Sequence, residues 1–158
     1  MTEHNTVTDS FSVFVRETGP GLKHALMAAL GSETGSEATS EALAYGWEHW
    51  ERVGAMDNPG GYLFRVGRNW GKRRNSRWRF RPQYPPVSVE MPWIEPALPD
   101  ALATLSERQR TVVVMVYAAD WSYAQVAALL GISRGAVHKH AERAMASLRD
   151  RLEVDDEN

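Results

Sequence analysis

The sequence predicts an all-α protein of two small helical domains joined by a proline-rich linker, the second domain built around a helix-turn-helix. Three observations lead there. Apolar residues recur at helical rather than alternating spacing on both sides of the middle of the chain. Six of the eight prolines lie between Pro82 and Pro99, in RPQYPPVSVEMPWIEPALP, where fixed φ and missing donors forbid a continuous helix. The stretch from Trp121 to His140 has caps, a small residue and a glycine at the offsets of two helices joined by a tight turn. The domains are expected at 10–80 and 99–153, with the linker at 81–98.

Taken in order, Phe11, Phe14, Val15, Leu22, Leu26 and Leu30 mark a helical region, with a break expected at Gly19-Pro20-Gly21. GSETGSEATSEA is a polar stretch leading into a helix through Leu43, Trp47 and Trp50. Asn58-Pro59 opens the next helix, with proline in the first turn, where a missing N–H costs nothing. This helix is expected to run to about Arg77. The linker carries Tyr84, Val87, Met91, Trp93 and Ile94; either these lie along a partner's groove or they pack on the protein's own domains. TVVVMVY resembles a strand by composition, but Ser106 and Gln109 just before it form a capping box, which favours a helix.

Composition narrows the function. The chain has 158 residues, 43% of them apolar, so modest cores can form. With no cysteine there are no disulfides, thiolate zinc sites or cysteine nucleophiles. The N-terminal MTEHNTVTDS is polar and lacks a signal-peptide apolar region, and no apolar run approaches a membrane span, so a cytoplasmic location is expected. No glycine-rich phosphate loop, nucleophile elbow or zinc-spaced carboxylate pair is present, so neither catalysis nor a cofactor is expected. His138 and His140, two apart on a helix, point about 200° from one another and do not share a metal ion.

The net charge of −2 hides strong segregation. Residues 1–51 hold eight acids and two bases, residues 52–81 nine bases against Asp57, and the remainder eleven acids and seven bases. Charge divided in this way points to separate partners, one of them a polyanion. On a helix from Gly60 to Arg77, Leu63, Val66 and Trp70 fall on one side, while Arg65, Arg68 and Lys72 fall on the other with Asn69 close by. Arg73, Arg74, Arg77, Arg79 and Arg81 extend the positive surface, interleaved with Trp78 and Phe80. No acid interrupts the stretch from Pro59 to Val89. Closely spaced cations on a rigid support suit a phosphate backbone, and aromatics among them suit unpaired bases. A solvated basic face with no such role is the plainer alternative. Trp70 reads as core; Trp78 is open either way.

In the helix-turn-helix, Ser122 caps the first helix with Gln125 closing a capping box, and Val126 and Leu130 face inward. Ala127 is small where the helices approach, Gly131 sits at the turn, Ile132 plugs the core, Ser133 caps the second helix and Val137 packs it back. That second helix exposes Arg134, Gly135, His138 and Lys139, with Arg143 near and His140 beside it. Arg134, His138 and Lys139 are placed nearest the base edges; Ser122, Ser133 and Arg143 suit phosphates. By itself this motif also serves a stand-alone regulator that binds a palindromic site as a symmetric dimer. The basic region by itself also suits an adaptor for an acidic protein.

Two stretches together resemble a known family. LSERQRTVVVMVYAADWSYAQVAALLGISRGAVHKHAERAMASLRDRL is similar along its length to the C-terminal promoter-binding domain of bacterial RNA polymerase sigma factors of the small, two-domain extracytoplasmic-function type. NPGGYLFRVGRNWGKRR is similar to the helix with which those factors engage and open the minus-10 element. The resemblance implies a non-enzymatic factor that binds core RNA polymerase and promoter DNA, duplex and single-stranded, and often an anti-sigma inhibitor. It implies that Arg65, Arg68, Asn69, Lys72 and Arg73 contact the minus-10 region, with Arg74 and Arg77 beside them, and that the loop from about Arg52 to Asp57 captures a flipped base. Arg134, His138 and Lys139 would lie over the minus-35 element. The helix bearing Glu37, Glu41, Leu43 and Trp47 would dock on the polymerase clamp. Two departures stand out: the family's Asp-Leu-Val-Gln in the docking helix reads Glu37-Ala-Thr-Ser40 here, and its acid after the Arg-Asn pair is replaced by Arg73.

Overall fold

The computed structural model describes residues 2–74 and 97–156, with side chains at 5–74 and 97–153. Its elements are α1 (Thr2–Leu30), α2 (Ser32–Glu48), α3 (Trp50–Val53), α4 (Pro59–Arg74), α5 (Leu98–Thr104), α6 (Glu107–Val113), α7 (Tyr123–Leu130) and α8 (Arg134–Asp156). A wider π-helical segment, Val114–Ala118, continues α6. Among the described residues there is no strand. TVVVMVY is helical, and the Ser106–Gln109 capping box that favoured a helix is formed in both directions. Most of the expected linker, with Arg77, Trp78 and Phe80, lies outside the described residues; its last residue, Leu98, already begins α5.

Two expectations for α1 and α2 are corrected. α1 runs unbroken through Gly19-Pro20-Gly21. An interior proline costs about 3 kcal/mol, but Leu22, Leu26 and Leu30 on the same helix are fully buried, each worth roughly 2 kcal/mol, and Pro20 itself is exposed. Tertiary burial wins. The polar stretch after Gly31 is not a lead-in but the first half of α2. Its small residues serve packing: Ala38 and Ala42 are fully buried, and a methyl group on Gly35 would overlap the Met27 backbone. Thr39 returns its hydroxyl to the Gly35 carbonyl at 2.7 Å, so a polar side chain is buried without an orphaned donor.

α4 begins at Pro59 as expected. Its buried face is Gly60, Leu63, Phe64, Gly67 and Gly71, with Val66 and Trp70 only half-buried. The expected Leu63–Val66–Trp70 stripe is therefore rotated toward the glycines. At Gly67 a Cβ would stand 3.1 Å from the Ala38 carbonyl oxygen, so α2 and α4 meet backbone to backbone.

One hydrophobic cluster crosses the chain's two halves. Leu22, Leu26, Trp50, Val53 and Leu63 from the first pack with Val112, Met115, Val126, Leu129 and Val137 from the second. A smaller cluster, Ala101, Leu102, Leu105, Val113, Ala144 and Leu148, belongs to the second half alone. Sharing a core raises the fraction of surface that each small unit buries.

Candidate nucleic-acid interface

The C-terminal site is built by three caps and one turn. Ser122 accepts from the Gln125 N–H at 3.1 Å, and Gln125 accepts from the Ser122 N–H at 2.9 Å. Gly131 ends α7 at φ 66°, and the Ile132 N–H reaches the Ala127 carbonyl at 3.1 Å. Nothing stands within 4 Å of where a Cβ would be, so backbone conformation rather than space demands glycine there. Ser133 then accepts from the Ala136 N–H at 3.0 Å and starts α8. Val126, Ala127 and Val137 are buried as expected. Leu130, however, is half-buried and Leu129 takes the inward place, against Gly60 of α4.

With Val137 buried, the first turns of α8 hold Arg134, Gly135, His138 and Lys139 in the open. One more turn adds Arg143. His138 contacts Glu142 at 3.1 Å and meets Tyr123 edge-on at 5.6 Å. His140 faces another way, toward Arg108 and Arg143; burial and then these two cations hold its imidazole below the ordinary value. The hydroxyls of Ser122 and Ser133 accept from their own helix starts, which leaves their protons to donate.

On α4, Arg65, Asn69 and Arg73 are exposed. The other three described cations of this face are engaged. Arg74 meets Glu37 of α2 at 2.7 Å and lies 5.2 Å over the Trp70 ring. Arg68 and Lys72 both reach Glu107 of α6, Lys72 at 2.9 Å. Burial alone would raise the Glu107 carboxyl, but the Arg68 and Lys72 contacts prevail and hold it below the usual carboxylate range.

The residues expected to dock on polymerase are divided by the fold. Glu41 is exposed on α2, Glu37 is paired with Arg74, Leu43 turns toward the core, and Trp47 is 44% exposed beside Phe11. The two middle residues of Glu37-Ala-Thr-Ser40 are buried, Ala38 beside Gly67 of α4.

Sequence reasoning missed two groups. Arg52 belongs to α3 rather than a loop, and donates to the Tyr45 hydroxyl at 2.7 Å. Tyr45 stacks on His49 at 4.2 Å, and Arg52 lies 5.7 Å over Tyr62. With Arg52 these rings, two of them half-buried, form an aromatic and cationic cluster at the start of α4; the i, i+4 spacing of Tyr45 and His49 is its one sequence signal. The second group is Glu107, whose partner Arg68 lies 39 positions away, and Arg110, whose carbonyl partners lie 81 and 82 positions away; such distant pairing leaves no local trace.

Residues 96–148 match the family model described as Sigma-70, region 4. Over an alignment covering 80% of this chain and 79% of the relative, the chain is 31% identical to the ECF RNA polymerase sigma factor SigL of Mycobacterium tuberculosis. The chain belongs to the ECF sigma factors. Its resemblance extends to the RNA polymerase sigma-E factor of Streptomyces antibioticus, 35% identical over 73% of this chain and 68% of that one. The solved sigma factor RpoE of Bartonella quintana, in complex with the anti-sigma factor NepR, shares the all-helical fold. Its TM-score is 0.64 at 21% identity, over 92% of this chain and 98% of that chain. An ECF sigma factor directs RNA polymerase to promoters through helix-turn-helix binding of DNA, and the stand-alone dimeric regulator is not favoured.

Proposed function

We propose that this ECF sigma factor divides promoter recognition between α8 and α4. Arg134, His138 and Lys139 read base edges of minus-35 duplex, Gly135 lets the backbone come close, and Ser122, Ser133 and Arg143 hold phosphates. Arg65, Arg68, Asn69, Lys72 and Arg73, with Arg74 and Arg77, engage the minus-10 element and its separated strand. Glu37, Glu41, Leu43 and Trp47 dock on core polymerase, and an anti-sigma inhibitor acts on the free factor. The functional domains are 10–80 and 99–153, tethered by 81–98, and the factor works without chemistry of its own, in the cytoplasm at the nucleoid.

The observation that carries this reading is the first two turns of α8: Val137 is fully buried while Arg134, His138 and Lys139 around it are exposed. A cationic face on a well-anchored second helix is what major-groove reading requires. The test is run-off transcription with purified core polymerase on fragments of the protein's own upstream DNA. Core plus protein is expected to start at a defined site that core alone ignores. At residue level, Lys139→Ala weakens duplex promoter binding and spares single-stranded minus-10 binding, whereas Arg68→Ala does the reverse. Equal losses on both substrates defeat the division of labour.

A further inference from the structure

The two halves meet with their charges matched. Glu107 stands in the first turn of α6, with both of its oxygens turned to α4: Arg68 approaches Oε1 through Nε, its Nη2 lies 3.5 Å from Oε2, and Lys72 Nζ lies 2.9 Å from Oε2. A carboxylate fixed between an arginine and a lysine makes the charge-assisted contacts that a backbone phosphate would make. It is held there by a separate set of contacts. Arg110, one turn along α6 and 3% exposed, donates to the Ala28 carbonyl at 2.6 Å and the Ala29 carbonyl at 3.1 Å, at the end of α1. α1 has no basic residue of its own in its last turn, so Arg110 supplies the cation its carbonyl end favours. The Trp121 indole lies so close over Gly21 that any side chain there would overlap it. Asn58, just before α4, donates to the Ala128 carbonyl of α7. Meanwhile Arg134, His138 and Lys139 remain open to solvent.

We infer that this packing is a closed state in which Glu107 acts as an internal phosphate mimic, masking the minus-10 cations Arg68 and Lys72 while leaving the minus-35 face available. The inference rests on the proposed role of α4. Single-stranded DNA and Glu107 compete for the same two cations, so melting-strand capture is coupled to separation of α6 from α4, and duplex reading by α8 is not.

The test is a double-mutant cycle on the full chain, with fluorescence anisotropy of a short, labelled, mixed-sequence single-stranded DNA as readout. Arg68→Ala with Lys72→Ala weakens binding. Glu107→Gln in the otherwise unaltered chain tightens it about fivefold, as expected for releasing two weak ion pairs, and Glu107→Ala tightens it too, with helix content checked by circular dichroism. In the Arg68→Ala, Lys72→Ala background, Glu107→Gln brings no gain. The same Glu107→Gln gain in both backgrounds means general repulsion of DNA and overturns the mask. Loss on removing the two cations without gain on removing Glu107 overturns the mask alone, and no loss on removing the cations removes α4's proposed role and the mask together.

Discussion

At Gly131 one torsion decides whether α7 can hand over to α8. Its φ of 66° lies where a side chain is penalised, and the site is otherwise empty, so Gly131→Ala isolates backbone strain from crowding. The expected cost is about 1 kcal/mol, read as a lowered midpoint in urea unfolding with helix content unchanged. Glu107 poses the opposite problem, since its conformation is ordinary and its charge is what counts. Its folded carboxyl titrates below the ordinary value of about 4.3, because Arg68 and Lys72 outweigh the upward push of burial. A depressed folded value means the contribution to stability is complete above the unfolded value and fades as pH falls through the folded one. Unfolding midpoints of the unaltered chain and of Glu107→Gln therefore keep a constant separation from neutral pH down to about pH 5, and converge below it. A separation unchanged at pH 3 argues against the ion pairs.

Helices α1, α2 and α4 approach through small residues instead of interdigitating large ones. Gly35 lies against the Met27 backbone and Gly67 against the Ala38 carbonyl, which explains glycines that would otherwise cost each helix about 1 kcal/mol. Gly35→Ala therefore destabilises the fold, by about 1–3 kcal/mol, where propensity alone predicts a gain; denaturant melts separate the two. Glycine placement also fixes the rotation of α4. With Gly60, Gly67 and Gly71 inward, Arg68 and Lys72 are turned toward α6, and Arg65, Asn69 and Arg73 to open solvent.

The two halves are held to one another by one shared hydrophobic cluster and by polar contacts. Arg110 is the most consequential of these, a buried guanidinium bonded to two carbonyls at the end of a helix. Arg110→Ala leaves those carbonyls without this donor and opens a void, an expected loss of roughly 2–3 kcal/mol. If the halves unfold together, a single cooperative transition shifts to lower denaturant; if they are independent, only the C-terminal transition moves. The shared cluster of Leu22, Leu26, Met115 and Leu129 favours the first outcome.

The caps, the turn and the exposure of Arg134, His138 and Lys139 at the start of α8 were legible in the chain alone. Ser106, Ser122, Ser133 and Gly131 act on neighbours three to five positions away, so their signals are local, and the apolar period placed Val126 and Val137 inward. The segregation of cations into Arg65–Arg74 was equally visible. What the chain alone left undecided is everything settled by surfaces far apart in sequence. Pro20 stays helical because its flanking leucines are buried, α2 starts at Ser32 because glycine admits a neighbouring backbone, and Glu107 finds Arg68 only once α6 lies across α4. Local propensities differ by about 1 kcal/mol per residue, whereas burying a leucine is worth about twice that, so tertiary packing overrides the local signal wherever the two disagree.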